Sequence, residues 1–317
     1  VKRGVGATLV ELLIAMILGL FLLGSVLGVF VASSSSVSRT GQYNQLQESA
    51  RLALSLLGEE LAQAGFWADL TGDSLNLDSV QVLASVANDC VGEGDNNASM
   101  PALRGHFRYL WAYRQDTTPN MSCSQGAVEG SHVVQIKRAS GPPREAAELE
   151  SNRYYLLANA SRGILFAGDR APVPTLTQGR YWEFQHRVFY VERREDGVPV
   201  LKWRQLYVNG GMVEEELVEG VETLQIRLGV DSDGDGSVDS YLPPSALSPE
   251  QWEGEVTLVS VSLFLVVRAP VAEPLSQDTL ALTLPDGVLG YSDGLPRRLF
   301  STTVMLRNPV LILRGAL

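Results

Sequence analysis

Histidine and cysteine are scarce, three and two in 317 residues. His106, His132 and His186 lie far apart, in or beside runs that read as strands, and are expected to be surface or hydrogen-bonded structural residues. Two cysteines with no histidine close by supply too few ligands for a zinc site. The chain also lacks G-x-S-x-G, H-E-x-x-H and a phosphate-binding glycine loop, so no motif points to catalysis and no enzyme is expected. Positive charge is short as well: 25 Lys and Arg stand against 36 Asp and Glu, a net charge of −11. With no dense basic run, the chain is not built for direct nucleic-acid binding or bulk attraction to anionic lipid. Strand–helix alternation is missing, which argues against a parallel βαβ sheet. No internal repeat is evident.

Charge is absent altogether from residues 12–32. As a helix these residues span about 31 Å, against about 30 Å for a bilayer core. Lys2 and Arg3 precede the run and are expected to stay on the cytoplasmic side. A secretory signal peptide is the alternative, but its apolar region is about 7–15 residues, too short for this run. One carboxylate, Glu11, opens the apolar stretch, and a charge at that depth marks a functional residue that needs a partner. Gly24 and Gly28 form a small-xxx-small pair that lets helices approach closely.

Helical periodicity continues beyond the apolar run. Leu46, Ala50, Ala53, Leu57, Leu61 and Ala64 recur at three- and four-residue spacing, flanked by Leu54, while Glu48, Arg51, Glu59 and Glu60 fall on other faces. The helix is expected to end near Gly65. Beyond it, β-branched and aromatic runs such as HVVQIKRA, RYYLLANA, YWEFQHRVFYVER and VTLVSVSLFLVVRA read as strands. Asp196-Gly197 marks a hairpin between two of them. Along 256–267, Thr257, Val259, Val261, Leu263, Leu265 and Val267 share a nearly apolar face, expected against the helix or the core. Pro270, Pro285 and Pro296 predict a loop-rich tail before a last strand near 299–306. The fold class is α+β: a long N-terminal helix packed on a mostly antiparallel sheet.

Two local motifs remain. Cys90 and Cys123 sit in polar, glycine-rich surroundings, and outside the cytoplasm they are expected to form one disulfide. DSDGDGSVD (231–239) places Asp231, Asp233 and Asp235 at positions 1, 3 and 5 of a calcium-type loop, with Gly236 at the sharp turn. Ser237 would offer its carbonyl and Asp239 a carboxylate. Leu242 stands where an EF-hand has its bidentate Glu, so the expected Ca2+ affinity is weak, roughly 10⁻⁴–10⁻³ M. An acidic Asp-Gly turn without metal has the same sequence.

Gly6-Ala7-Thr8-Leu9-Val10-Glu11, after a short basic leader, resembles the type IV prepilin processing site. The resemblance implies cleavage after Gly6 by a prepilin peptidase and N-methylation of Ala7, which stands where the family usually has Phe. It also implies an assembly role for Glu11, paired with the freed amine of Ala7 or of a neighbouring subunit. QLQESARLALSLLGEELAQAGFW (45–67), GSHVVQIKRAS (130–140), LVEGVETLQIRLGVDSDGDGSVDSY (217–241) and RRLFSTTVMLRN (297–308) are similar to PilW-type minor pilins. Residues 68–130 match nothing. The implied organisation is a cleaved leader (1–6), a membrane and filament-core half-helix (7–32), an amphipathic half-helix (33–66) and a β-rich periplasmic head (67–317). The implied function is a minor pilin that primes pilus assembly and sits at the tip. Other minor pilins, the major pilin, the inner-membrane assembly platform and a tip adhesin are its implied partners. A minor pseudopilin of a type II secretion system shares the processing site. A signal-anchored, calcium-dependent binding protein or enzyme outside any filament is the alternative from another class.

Overall fold

A computed structural model describes residues 8–70, 75–271 and 280–309. Its first element is one unbroken helix, α1 (Leu9–Ala62). No proline occurs between residues 8 and 62, so nothing interrupts the hydrogen-bond ladder. Thr8 caps the start, and Glu11 at the third helical position completes a reciprocal capping box. The helix gives way at Gln63, and Gly65 takes a left-handed turn at φ 70°. A side chain there would meet the Tyr109 ring at 3.1 Å, so both conformation and space favour glycine.

The two halves of α1 have different surroundings. From Leu9 to Val31 every large apolar side chain is exposed. The predicted stripe of the second half, from Leu46 to Ala64, is buried to 1% exposure or less. It rests on a four-stranded antiparallel sheet of β9 (Val221–Asp231), β10 (Ser240–Leu242), β11 (Thr257–Arg268) and β14 (Arg297–Met305), in the order β10-β9-β11-β14. Val259, Val261, Leu263, Leu265 and Val267 on β11 are fully buried, as their shared face predicts. Asn308 Nδ2 donates to the Ala64 carbonyl at 3.1 Å, covering the helix end.

A second, larger sheet carries the rest of the head. It comprises β1 (Val80–Val82), β2 (Leu110–Arg114), β3 (His132–Arg144), β4 (Tyr154–Ala158), β5 (Gly163–Ala167), β6 (Arg180–Arg193), β7 (Pro199–Tyr207) and β8 (Gly211–Glu219). The order is β1-β5-β4-β6-β3-β2, and the long β6 also pairs β7, which pairs β8. Among the described residues only the β1–β5 pair is parallel. β9 touches α1 as well as β3, β6 and β7 of the larger sheet. It is accordingly buried along nearly its whole length, polar Glu222, Thr223 and Gln225 included.

Two expectations need correction. The tail from Pro270 to Pro296 is not all loop: β12 (Leu280–Leu284) and β13 (Gly287–Tyr291) form a hairpin around Pro285-Asp286. Glu60, which helical spacing puts off the apolar stripe, is buried at 8% exposure. Its Oε1 accepts from Arg138 Nη2 at 2.8 Å and its Oε2 from Arg138 Nε at 3.0 Å. Arg187 Nη1 also donates to Oε1, and Arg138 Nη1 reaches Gln63 Oε1 at 2.8 Å. The last turn of α1 is thus tied to β3 and β6 by a bidentate, charge-assisted clamp.

Candidate functional site

The processing pair Gly6 and Ala7 lies outside the described residues. The structure begins one residue later, and there the Glu11 carboxylate is turned back toward the chain start. Its Oε2 accepts from Thr8 N at 2.9 Å and from Thr8 Oγ1 at 3.0 Å, and Thr8 Oγ1 accepts from Glu11 N at 3.3 Å. Thr8 was not singled out from the sequence as a functional residue, although T-x-x-E ahead of an apolar run is the capping-box signature. The arrangement satisfies donors that helix geometry leaves unpaired and holds the carboxylate at the positive end of the helix dipole. The helix around it is long and apolar enough to cross a membrane.

The second candidate site is the acidic loop between β9 and β10. Asp231, Asp233 and Asp239 bring carboxylate oxygens within 4.8 Å of one another. Asp235 is not in that group; its Oδ1 accepts from Ser237 N at 2.7 Å instead. Asp231 ends β9 and is buried, with Oδ1 accepting from Gly234 N at 2.7 Å and Oδ2 from Gly236 N at 2.8 Å. Burial raises its carboxyl, but backbone donors, those of Gly236 and Gly234 foremost, outweigh burial and hold it below the ordinary aspartate value. Asp239 Oδ2 accepts from Ser232 N at 2.7 Å, closing the loop. Three of the five predicted ligands therefore converge on one point, and their hard oxygen donors suit a cation such as Ca2+. The fit is partial, as the missing twelfth-position Glu foretells.

Cys90 and Cys123 are joined, with Cα atoms 5.5 Å apart, so the expected disulfide is present. Beside its loop a cleft of 620 Å³ opens toward the segment before β11, lined by Arg108, Trp111, Tyr113 and Trp252 among others; none of the predicted site residues lines it. His132 and His186 are both buried rather than surface residues. His132 Nδ1 accepts from Ile226 N at 3.0 Å and Nε2 donates to Asp286 Oδ2 at 2.7 Å. His186 Nδ1 lies 2.6 Å from Ser99 Oγ, and Asp89 bonds to that serine rather than to the histidine. An acid placed there does not orient the imidazole as a base toward the hydroxyl.

Comparison with known families gives one finding. Residues 188–308 match the PilW family, described as type IV pilus-assembly protein W. The matched region runs from the end of β6 through β14 and contains the whole four-stranded sheet that seats α1. No curated protein and no solved structure matches the chain.

Proposed function

Residues 188–308 match the PilW family, and on that premise we propose that the chain is a PilW-type pilus protein that works as a minor pilin, a structural subunit. The observation that carries the reading is the division of α1. Its second half is seated on the sheet of the matched region, while along its first half, from Leu9 to Val31, every large apolar side chain is exposed. Such a surface is stable in lipid or among like helices, and the proposed cycle moves it from one to the other. Before assembly the first half of α1 spans the inner membrane with the head in the periplasm. Cleavage after Gly6 then leaves the amine of Ala7 beside the Glu11 carboxylate, and the pair sets the axial register of neighbouring subunits.

A head of this size is easier to place at the end of a filament than along a shaft of helices about 10 Å across, which supports a tip position. The partners that follow are other minor pilins, the major pilin and the assembly platform. Calcium, held by Asp231, Asp233 and Asp239, would supply positive charge to an otherwise self-repelling loop and fix its shape. Titration calorimetry of the chain in detergent is expected to give a dissociation constant of roughly 10⁻⁴–10⁻³ M for Ca2+, lost in Asp231→Asn.

The decisive experiment is the N-terminal mass of the protein from native membranes, with and without prepilin peptidase. A chain starting at Ala7 only in the peptidase-positive strain is expected, together with loss of filament incorporation in Glu11→Ala. A chain that keeps residues 1–6 in both strains overturns the pilin reading.

A further inference from the structure

Lys137 is the anomaly of the interior. It sits on β3 with no solvent exposure, and among the described residues no carboxylate forms an ion pair with it. A buried ammonium normally needs such a partner. Instead Nζ lies 4.3 Å from the centroid of the Phe107 ring and 3.5 Å from Asn97 Oδ1. Burial pushes its amine well below the ordinary lysine value, against the pull of Asp89. Asp89 itself is engaged by Ser99.

Asn97 is held equally firmly. It belongs to the loop closed by Cys90 and Cys123 and is 2% exposed. Nδ2 donates to the Glu93 carbonyl at 2.9 Å, and Oδ1 accepts from Gln135 Nε2 at 2.5 Å. The second donor on Oδ1 is Lys137 itself. An amine whose charged form burial disfavours is therefore fixed beside a carboxamide whose oxygen is already polarised by a hydrogen-bond donor, both side chains being buried. Amine addition to a carbonyl needs three things that meet here: a nucleophile whose protonated form burial disfavours, a hydrogen-bond donor on the carbonyl oxygen, and both partners held in place.

We infer that Lys137 and Asn97 are a modification site and join through an intramolecular isopeptide bond. The Nζ lone pair adds to Asn97 Cγ, and Gln135 Nε2 stabilises the negative charge that develops on Oδ1. The Cγ–Nδ2 bond then breaks. Nζ gives up one proton and Nδ2 leaves with it as ammonia, so atoms balance without oxidant or co-reactant. His186 faces Lys137 across the β3–β6 ladder, and its Nε2 is buried with no hydrogen-bond partner. With the ring proton on Nδ1, toward Ser99 Oγ, Nε2 can take up the proton from Nζ. The product ties the disulfide loop to a central strand of the larger sheet.

The test is the mass of the full chain with the disulfide reduced, followed by tryptic mapping. The expected chain is lighter by one ammonia, about 17 Da. Lys137 then resists trypsin, and a branched species joins peptide 52–104 to peptide 115–138. Both signatures are expected to vanish in Lys137→Met and in Asn97→Ala, but the unsubstituted chain alone decides the matter. Full sequence mass with two separate peptides overturns the inference. So does the same mass loss confined to an unlinked peptide 52–104, which is a cyclised asparagine and not a cross-link.

Discussion

Glu60 does the work of several apolar contacts. It is one acid facing two guanidinium groups at the end of α1, and removing it leaves Arg138 buried without a counter-charge. Glu60→Ala is therefore expected to cost about 3–5 kcal/mol, read as a lower midpoint of denaturant unfolding in detergent. Asp286 has a smaller part at the β12–β13 hairpin, where it accepts from His132 Nε2 at 2.7 Å and Arg227 Nη2 at 2.6 Å. Burial raises its carboxyl, yet the donors from His132 and Arg227 prevail and bring it down to about 2. The folded value lies below the unfolded one, so the stabilisation is complete above the ordinary aspartate range and fades as pH falls toward 2. Asp286→Asn is expected to remove about 1–2 kcal/mol at neutral pH, after allowance for solvent screening, and to flatten the acid limb of the stability profile. An unchanged acid limb would show that the hairpin latch contributes nothing. Neither group announces itself locally. Glu60 meets partners 78 and 127 residues away, so a helical wheel can only assign it to the solvent side. The Asp231 loop was legible because its ligands are spaced at alternate positions within nine residues.

At the scale of elements, legibility follows how far the signal reaches along the chain. The stripe from Leu46 to Ala64 and the buried face of β11 repeat with the period of their own element, and both are where the pattern puts them. The β12–β13 hairpin lies in a tail that reads as loop-rich because Pro285 and the flanking prolines outweigh two short alternating runs. Division into an eight-stranded and a four-stranded sheet beside the β12–β13 hairpin is set by which strands pair, and composition does not encode that. Leu57 is fully buried in the stripe, and Leu57→Ala is expected to cost about 2–5 kcal/mol in the same unfolding measurement, with Leu52→Ala, on the exposed face, near zero. The Cys90–Cys123 bridge closes a long loop and is expected to contribute about 3–4 kcal/mol by restricting the unfolded chain. Replacement of both cysteines by serine, compared by urea unfolding, measures it.

For the whole molecule, the head is complete without the first half of α1. The exposed apolar side chains before Val37 make no described contribution to the core, which the helix joins at Leu46. A chain beginning at residue 35 is expected to stay soluble without detergent and keep the unfolding midpoint of the head. Aggregation or a shifted midpoint would mean that the apolar half does pack on the head.

The unbroken 54-residue α1 also fixes how the head meets mechanical load. In the proposed filament, a pull would enter at the N-terminal half and travel along the helix axis into the seat. Axial pulling tries to slide the stripe past β9, β11 and β14, so its contacts resist together in shear and are not peeled one by one. The Glu60 clamp, at the far end of that path, acts as the stop against slip.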